Sequence, residues 1–237
     1  MDWVYLLYGL SGFFILVAVI ISVVAQTKVY NRFNEYSKVK SSLNITGRQL
    51  AEELALKNGL KLNVKMCKGK LTDHYNPKDK SLNISEQNYN SDSIASIAIV
   101  AHEFGHALQD AEGYSLLKFR QFAIKISNFA STMLLPLIIV SIILSIFIGF
   151  AGYIMLLAVT VVYGLLVLVN LITLPVELNA SDRAKELLFS QIGDAEEQAG
   201  VSAMLSAAAM TYLASLLVSI VYFLRFLLIF LLSSRRD

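Results

Sequence analysis

The sequence predicts an α-helical membrane protein with about four transmembrane helices and a small α+β domain. Three observations support this fold class. Of the 237 residues, 56% are hydrophobic and only 16% are charged, whereas about a quarter of the residues in a soluble domain are charged. Residues 3–27, 126–176 and 198–224 contain no charged side chain, and each stretch exceeds the roughly 20 apolar residues that cross a bilayer. The polar stretches between them are long enough to hold a folded domain.

The first uncharged stretch predicts a transmembrane helix over residues 3–25. A secretory signal peptide would begin with basic residues and would have a shorter apolar core. This chain begins instead with Met1 and Asp2, so we expect the segment to stay in the membrane.

The long uncharged stretch 126–176 predicts two crossings. As a single helix it would be roughly 75 Å long, far more than the hydrocarbon core of a bilayer requires. Gly149 and Gly152 favour a turn between two shorter helices. We therefore expect transmembrane helices over residues 129–149 and 152–174.

A fourth transmembrane helix is predicted over residues 208–232, and it contains Arg225. An arginine in such a segment reaches towards the interface, faces the interior of the protein, or marks the point where the helix leaves the membrane. These three alternatives stay open at the level of sequence.

Residues 26–127 predict a domain of mixed helices and strands. Thr46 and Gln49 match a capping box, in which each side chain accepts a hydrogen bond from the other residue's backbone at the start of a helix. Asn58 and Gly59 are typical of the end of that helix.

Strands and a second helix are predicted further along this region. Two segments have alternating apolar side chains, as strands do; they contain Leu62, Val64 and Met66, and then Leu82 and Ile84. Residues 73–80 between them predict a turn or loop. A helix is expected from about Ser91 to Ala111.

Residues 102–106 within that helix have the sequence His-Glu-Phe-Gly-His. Side chains four positions apart lie on one helix face, so His102 and His106 can bind one zinc ion, and Glu103 can reach a zinc-bound water. Gly105 costs about 1 kcal/mol relative to alanine inside a helix, which predicts that another segment packs closely against it. The pattern predicts a metal site and thus a zincin-like catalytic domain.

A catalytic zinc usually has a third protein ligand, and Glu177 is the strongest candidate. It follows the third apolar stretch directly, where Pro175 is expected to break the helix, and a carboxylate at the edge of a span is costly without a partner. Two crossings separate His106 from Glu177, so both residues lie on the same side of the membrane. Residues 175–207 then form a segment on that side, and it carries the third ligand.

Two stretches resemble the YugP-type neutral zinc metallopeptidases of bacteria, and the resemblance extends over nearly the whole chain. They are residues 99–109, Ile-Val-Ala-His-Glu-Phe-Gly-His-Ala-Leu-Gln, and residues 174–181, Leu-Pro-Val-Glu-Leu-Asn-Ala-Ser. The layout is similar to that of the HtpX-like membrane peptidases, which also place two spans between the motif and a glutamate ligand. The resemblance implies that His102, His106 and Glu177 bind one zinc ion per chain and that Glu103 is catalytic.

Glutamate-zincins often carry an aspartate four residues after the ligand glutamate, and this aspartate orients a ligand histidine. In this chain that position is Ser181, and Asp182 follows it, so either residue is a candidate for the role. His74 is a candidate for contacting the substrate or its oxyanion. The alternative for His74 is a turn histidine bonded to the local backbone.

These features together predict a membrane-integrated zinc endopeptidase of the glutamate-zincin type, in which Glu103 activates a zinc-bound water. The resemblance implies peptides or membrane proteins as substrates, and we expect them to pair as a strand with an exposed sheet edge near Leu82–Ser85. A zinc-binding membrane scaffold without peptidase turnover is the first alternative. A transporter with a coincidental motif is disfavoured, because the spans hold almost no ionisable residue.

The composition argues against two further features. No basic run is interleaved with aromatic residues, so a nucleic-acid partner is not expected. Cys67 is the single cysteine, which excludes an intramolecular disulfide.

The basic residues predict that the catalytic domain faces the cytoplasm of a bacterial cell membrane. Seven of them flank the end of the first span and the start of the second, where the positive-inside rule applies; they are Lys28, Arg32, Lys38, Lys40, Lys118, Arg120 and Lys125. Arg235 and Arg236 after the fourth span favour the opposite orientation. They carry less weight, because charges late in the chain have a weaker influence. The alternative is that the segment 208–232 does not fully cross the membrane.

Overall fold

The computed structural model describes residues 3–233 and is mostly helical, with one small mixed sheet. One long apolar helix is followed by six shorter elements and then by three long apolar helices, and this agrees with the predicted fold class. In chain order they are α1 (Trp3–Tyr36), α2 (Gly47–Lys57), β1 (Asn63–Cys67), β2 (His74–Asn76), β3 (Ser81–Ser85), α3 (Glu86–Tyr89), α4 (Ile94–Ala111), α5 (Ser115–Phe147), α6 (Gly149–Phe189) and α7 (Ala195–Ser233).

Four helices within the described part of the chain are long and apolar enough to cross a membrane, namely α1, α5, α6 and α7. This confirms the expected number of candidate spans. Each helix extends beyond the polar end of its predicted apolar segment, because its polar turns continue the helix. The break between α5 and α6 falls at residue 148, so Gly149 and Gly152 lie in the first turn of α6 and not in the predicted turn. Arg235 and Arg236, which bear on the orientation of the last span, lie outside the described residues.

The chain forms two compact units. One comprises residues 3–24, 118–174 and 212–233 of the described chain, and we call it the membrane unit. The other comprises residues 25–117 and 175–211, and we call it the site unit. The site unit contains the sheet, the helices α2, α3 and α4, and the polar turns of the four long helices.

Within the membrane unit, α6 and α7 pack through aromatic side chains. The ring of Tyr163 stacks on those of Tyr222 and Phe226, with centroids 5.3 and 5.1 Å away. Arg225 of α7 donates a hydrogen bond of 3.0 Å to the Ser11 hydroxyl and lies 5.0 Å from the Tyr8 ring centroid. Among the alternatives for Arg225, the structure thus favours a position facing other helices of the unit, with polar and aromatic partners for its charge.

The site unit has a buried core formed by α2, α4, β3 and the polar turns of α1, α6 and α7. Its fully buried members include Leu50, Leu54, Leu82, Ile84, Ile97, Phe104 and Leu188. The capping box is confirmed, since Thr46 and Gln49 each accept from the other's backbone N–H. The predicted end of α2 is confirmed as well: Asn58 is its C-cap, and Gly59 follows with a φ of 65°.

The sheet corrects two predictions. His74–Asn76 form strand β2 instead of a turn or loop; a three-residue strand is too short to show a two-residue periodicity. The strand order is β1-β3-β2, with β3 parallel to β1 and antiparallel to β2. The strand β3 is therefore central, and Leu82–Ser85 does not offer the free edge that was expected for substrate binding.

The helix α6 corrects a third prediction, because it continues through Pro175. Proline cannot donate a backbone hydrogen bond to the carbonyl one turn earlier, so a break was the local expectation. Long apolar helices tolerate proline when the surrounding packing holds the turn. As a result, Glu177 lies inside a helix, in the part of α6 that belongs to the site unit.

Candidate metal centre

The helix α4 presents the two motif histidines on one face. Its first turn is capped by the Ser93 hydroxyl, which accepts from the backbone N–H of Ser96 at 3.2 Å. His102 and His106 lie one turn apart, and their ring centroids are 4.9 Å from each other at an interplanar angle of 80°. Neither imidazole is fully exposed, and that of His106 is buried.

Glu177 of α6 lies against both imidazoles. Its Oε2 atom is 3.2 Å from His102 Nε2 and 3.6 Å from His106 Nε2. One donor atom from each of the three side chains lies within 4.8 Å of the others. The carboxylate is only 1% exposed, and a buried carboxylate requires a compensating positive charge.

The donor set fits a zinc ion. Zinc is bound by imidazole nitrogen and carboxylate oxygen at about 2.0–2.2 Å, and tetrahedral ligands at that distance are about 3.3–3.5 Å from one another. The two distances from Glu177 Oε2 bracket that spacing. Three protein ligands leave a fourth position for water or substrate, as in catalytic zinc sites.

Gly105 allows α4 and α6 to approach closely beside these side chains. A Cβ atom at position 105 would lie 2.6 Å from the carbonyl oxygen of Ala180, which is shorter than any ordinary contact. The prediction that another segment packs against Gly105 is thus confirmed, and the segment is the backbone of α6.

The carboxylate of Glu103 contacts the sheet. Its Oε2 atom accepts a hydrogen bond of 3.0 Å from the backbone N–H of Tyr75 in β2. The Tyr75 hydroxyl in turn donates to Asp110 of α4 at 2.7 Å. Burial and the neighbouring Asp110 carboxylate raise the pKa of Tyr75, so this hydroxyl stays protonated and holds β2 against α4.

The remaining ring nitrogen of His102 contacts Ser181 of α6. The Ser181 Oγ atom is 3.2 Å from His102 Nδ1, and Ser181 is buried. The carboxylate of Asp182 is instead exposed and pairs with Lys185 at 3.1 Å. Of the two residues considered for orienting a histidine, Ser181 is the one that lies beside it.

The remaining ring nitrogen of His106 contacts Gln109, a residue that was not predicted from the sequence as part of the site. The Gln109 Oε1 atom is 2.9 Å from His106 Nδ1. Its position three residues after His106 on the same helix face was an available signal. Its other partners lie on α6, about 70 residues away in sequence, and no local pattern could have pointed to them.

The amino-acid sequence matches a family model described as "Putative neutral zinc metallopeptidase" over residues 12–231. The chain belongs to this family. It is 41% identical over 213 residues to "Putative membrane protease YugP" of Bacillus subtilis (strain 168), a match that covers 87% of this chain and 90% of the relative. No solved structure gives a significant match.

Membership of the zinc metallopeptidase family confirms the resemblance noted in the sequence. The family implies zinc, and the cluster of two histidines and a glutamate is compatible with that metal. The four apolar helices and the similarity to a membrane protease support a membrane location.

His74 of this family member does not join the cluster of His102, His106 and Glu177. It is exposed, and its Nδ1 atom lies 2.8 Å from the backbone carbonyl of Thr72. This contact agrees with the local-backbone alternative for His74. The neighbouring residue Tyr75, which no sequence pattern indicated, contacts Glu103 through its backbone N–H.

Proposed function

We propose that the protein is a membrane-integrated zinc endopeptidase of the glutamate-zincin type. His102, His106 and Glu177 would hold one zinc ion, and Glu103 would be the catalytic base. The observation that carries the proposal is the convergence of three ligand side chains from two helices, with Glu103 next to the first of them in sequence. Membership of the zinc metallopeptidase family supports the same reaction class.

The chemistry can be described from the residues present. When bound, zinc would polarise the carbonyl of the scissile peptide and increase the acidity of water. Glu103 accepts the proton of the attacking water and delivers it to the leaving amine. The backbone N–H of Tyr75 keeps the Glu103 carboxylate in place through its hydrogen bond of 3.0 Å.

Strand β2 is a better candidate than β3 for pairing with an extended substrate. It is an edge strand of the sheet, and the Tyr75 N–H points away from β3, because it donates to Glu103. In an antiparallel ladder the N–H and C=O groups of one residue point to the same side. Because Glu103 already accepts the Tyr75 N–H, a peptide at this outer edge would donate to the Tyr75 carbonyl beside Glu103. Main-chain pairing of this kind would select weakly among side chains.

Substitution of Glu103 by glutamine tests the proposal. The amide cannot accept the proton, so Glu103→Gln should keep its zinc and lose about 100-fold or more of the cleavage rate. Zinc content and proteolysis, including self-cleavage, are measured on the purified full-length protein. The matched control is Glu86→Gln, since Glu86 is an exposed glutamate of the same unit.

Two results would contradict the proposal. Cleavage by Glu103→Gln at the wild-type rate would remove Glu103 from the mechanism. A wild-type protein that holds zinc and cleaves neither peptides nor membrane-protein tails would favour a zinc-binding membrane scaffold instead.

A further inference from the structure

Gln109 is fully buried between α4 and α6, and its amide makes three polar contacts. Its Oε1 atom lies 2.9 Å from His106 Nδ1. Its Nε2 atom donates to the backbone carbonyl of Val176 and to Oδ1 of Asn179, each at 2.9 Å. Val176 and Asn179 lie on either side of Glu177 in the sequence, so one side chain contacts both helices that carry the ligand side chains.

The hydrogen-bond partners of the Gln109 side-chain amide fix the orientation of that amide. A backbone carbonyl can only accept a hydrogen bond, so the nitrogen of Gln109 must face Val176. The Gln109 oxygen then faces His106, and it can only accept. His106 Nδ1 must therefore carry the proton, and in the neutral ring the lone pair lies on Nε2.

Arg183 fixes the same orientation of the Gln109 amide through Asn179. Its Nε atom donates to Asn179 Oδ1 at 2.8 Å, and arginine can only donate. The Asn179 oxygen thus faces both Arg183 and Gln109, and again the nitrogen of Gln109 must donate. Glu112 holds the guanidinium by two hydrogen bonds of 2.6 Å.

This arrangement gives the two histidines different constraints. The Ser181 hydroxyl beside His102 can donate or accept, so it permits either tautomer of that ring. The Gln109 oxygen permits only the Nδ1–H tautomer of His106. The His106 Nε2 lone pair then lies 3.6 Å from a carboxylate oxygen of Glu177, an unfavourable pairing that a cation between them would relieve.

We propose that Gln109 is a positioning residue that holds His106 in the tautomer whose Nε2 atom binds the metal, with Asn179 and Arg183 as its outer anchors. The inference rests on the proposed metal site. It extends that site to a hydrogen-bonded network that joins α4 to α6 and fixes the tautomer of one ligand in advance. Groups that hold a ligand imidazole in this way typically contribute 10–100-fold to metal affinity.

The tautomer can be measured directly. The chain has three histidines, so nitrogen NMR of histidine-labelled, metal-free protein gives few signals, and His74→Gln and His102→Gln assign them. At a pH of about 8.5, where an ordinary imidazole is neutral, wild-type His106 should be protonated at Nδ1. A wild-type His106 protonated at Nε2 would overturn the proposal without the need for any Gln109 variant.

Replacement of Gln109 supplies the second measurement. Gln109→Met keeps a similar volume and removes the acceptor, so His106 should populate both tautomers, and zinc should bind 10–100-fold more weakly in competition with a chelator. Ser181→Ala is the comparison variant, since it should leave the His106 tautomer unchanged. Gln87→Met, at an exposed position, controls for the substitution itself.

The outcomes separate this inference from the proposed function. A folded Gln109→Met protein that keeps the Nδ1–H signal and binds zinc within twofold of wild type would overturn the role of Gln109. Wild-type protein that binds no zinc would overturn the metal site and the positioning role with it, even if the Nδ1–H signal were present. Zinc binding without cleavage would leave the positioning role supported and would contradict only the peptidase.

Discussion

At the scale of single residues, Ser181 occupies a position where a carboxylate would hold His102 more strongly. Its hydroxyl lies 3.2 Å from His102 Nδ1, and the residue is buried. A neutral hydroxyl raises the basicity of a metal-bound imidazole less than a carboxylate does. The zinc affinity of this protein is therefore expected to depend on which group stands at position 181.

We predict that Ser181→Ala weakens zinc binding by about tenfold, because outer partners of ligand histidines contribute about 10–100-fold to metal affinity. Ser181→Asp should bind zinc more tightly than Ser181→Ala. Dissociation constants from chelator competition measure both effects. Asp182→Ala is the control, because that side chain is exposed and pairs with Lys185; a loss of zinc there and none at Ser181 would contradict the prediction.

The candidate site residues that could be predicted from the sequence are those whose spacing or position along the chain indicates a metal site. His102, Glu103 and His106 follow from a helical repeat, and Glu177 from its place after an apolar stretch. Gln109 and Tyr75 were missed, because the contacts that orient the Gln109 amide and the contact of Tyr75 with Glu103 involve residues distant in sequence. Gln109 contacts residues 67 and 70 positions away, and the Tyr75 amide meets a carboxylate 28 positions away.

At the scale of helices and strands, local signals predicted the elements that depend on local contacts. The capping box of α2, the helix α4 and the buried Leu82 and Ile84 of β3 all agree with the structure. The strand β2 and the continuity of α6 through Pro175 depend on tertiary packing, which overrode the local preference for a turn and for a break. The order of the strands in the sheet likewise could not be predicted from the local sequence.

The close approach of α4 and α6 yields a prediction about Gly105. Gly105→Ala would place a methyl group 2.6 Å from the Ala180 carbonyl oxygen, so the two helices must separate. We expect a loss of about 1–3 kcal/mol in the free energy of unfolding, typical of overpacking, together with weaker zinc binding.

Thermal unfolding and zinc titration of the full-length protein check this prediction. Gly193→Ala is the matched control, since a Cβ atom there meets nothing within 4 Å. Equal stability and equal zinc affinity of the two variants would contradict a tight contact at Gly105.

At the scale of the whole molecule, the metal would link segments that are far apart in the chain. His102 and Glu177 are 75 residues apart, and a ligand that binds only the folded state stabilises it. At a free zinc concentration about 1,000 times the dissociation constant, the stabilisation is about 4 kcal/mol. We predict that a strong chelator lowers the melting temperature of wild type and has a much smaller effect on Glu177→Ala. A similar decrease in both proteins would indicate that the chelator acts elsewhere.

We propose that the site unit faces the cytoplasm, as the basic residues beside the first and second spans predict. In a Cys67→Ser background, a cysteine at position 78 should react with an impermeant thiol reagent only after the cells are permeabilised. A cysteine at position 150, near the turn between α5 and α6, should react in intact cells. Both positions are exposed. The reverse pattern of labelling would place the site unit outside the cell.

The contact between Gly105 and the Ala180 carbonyl also affects how sequences of this family can diverge. A side chain larger than hydrogen at position 105 meets main-chain atoms, and substitution at position 180 cannot remove a main-chain carbonyl. Evolutionary drift at position 105 would therefore require a simultaneous shift of a whole helix. Relatives that share this pairing of α4 and α6 should therefore have glycine at the position of Gly105, together with the segment of α6 that contains Glu177. Proteins that merely contain two histidines and a glutamate at the same spacing need not have this glycine.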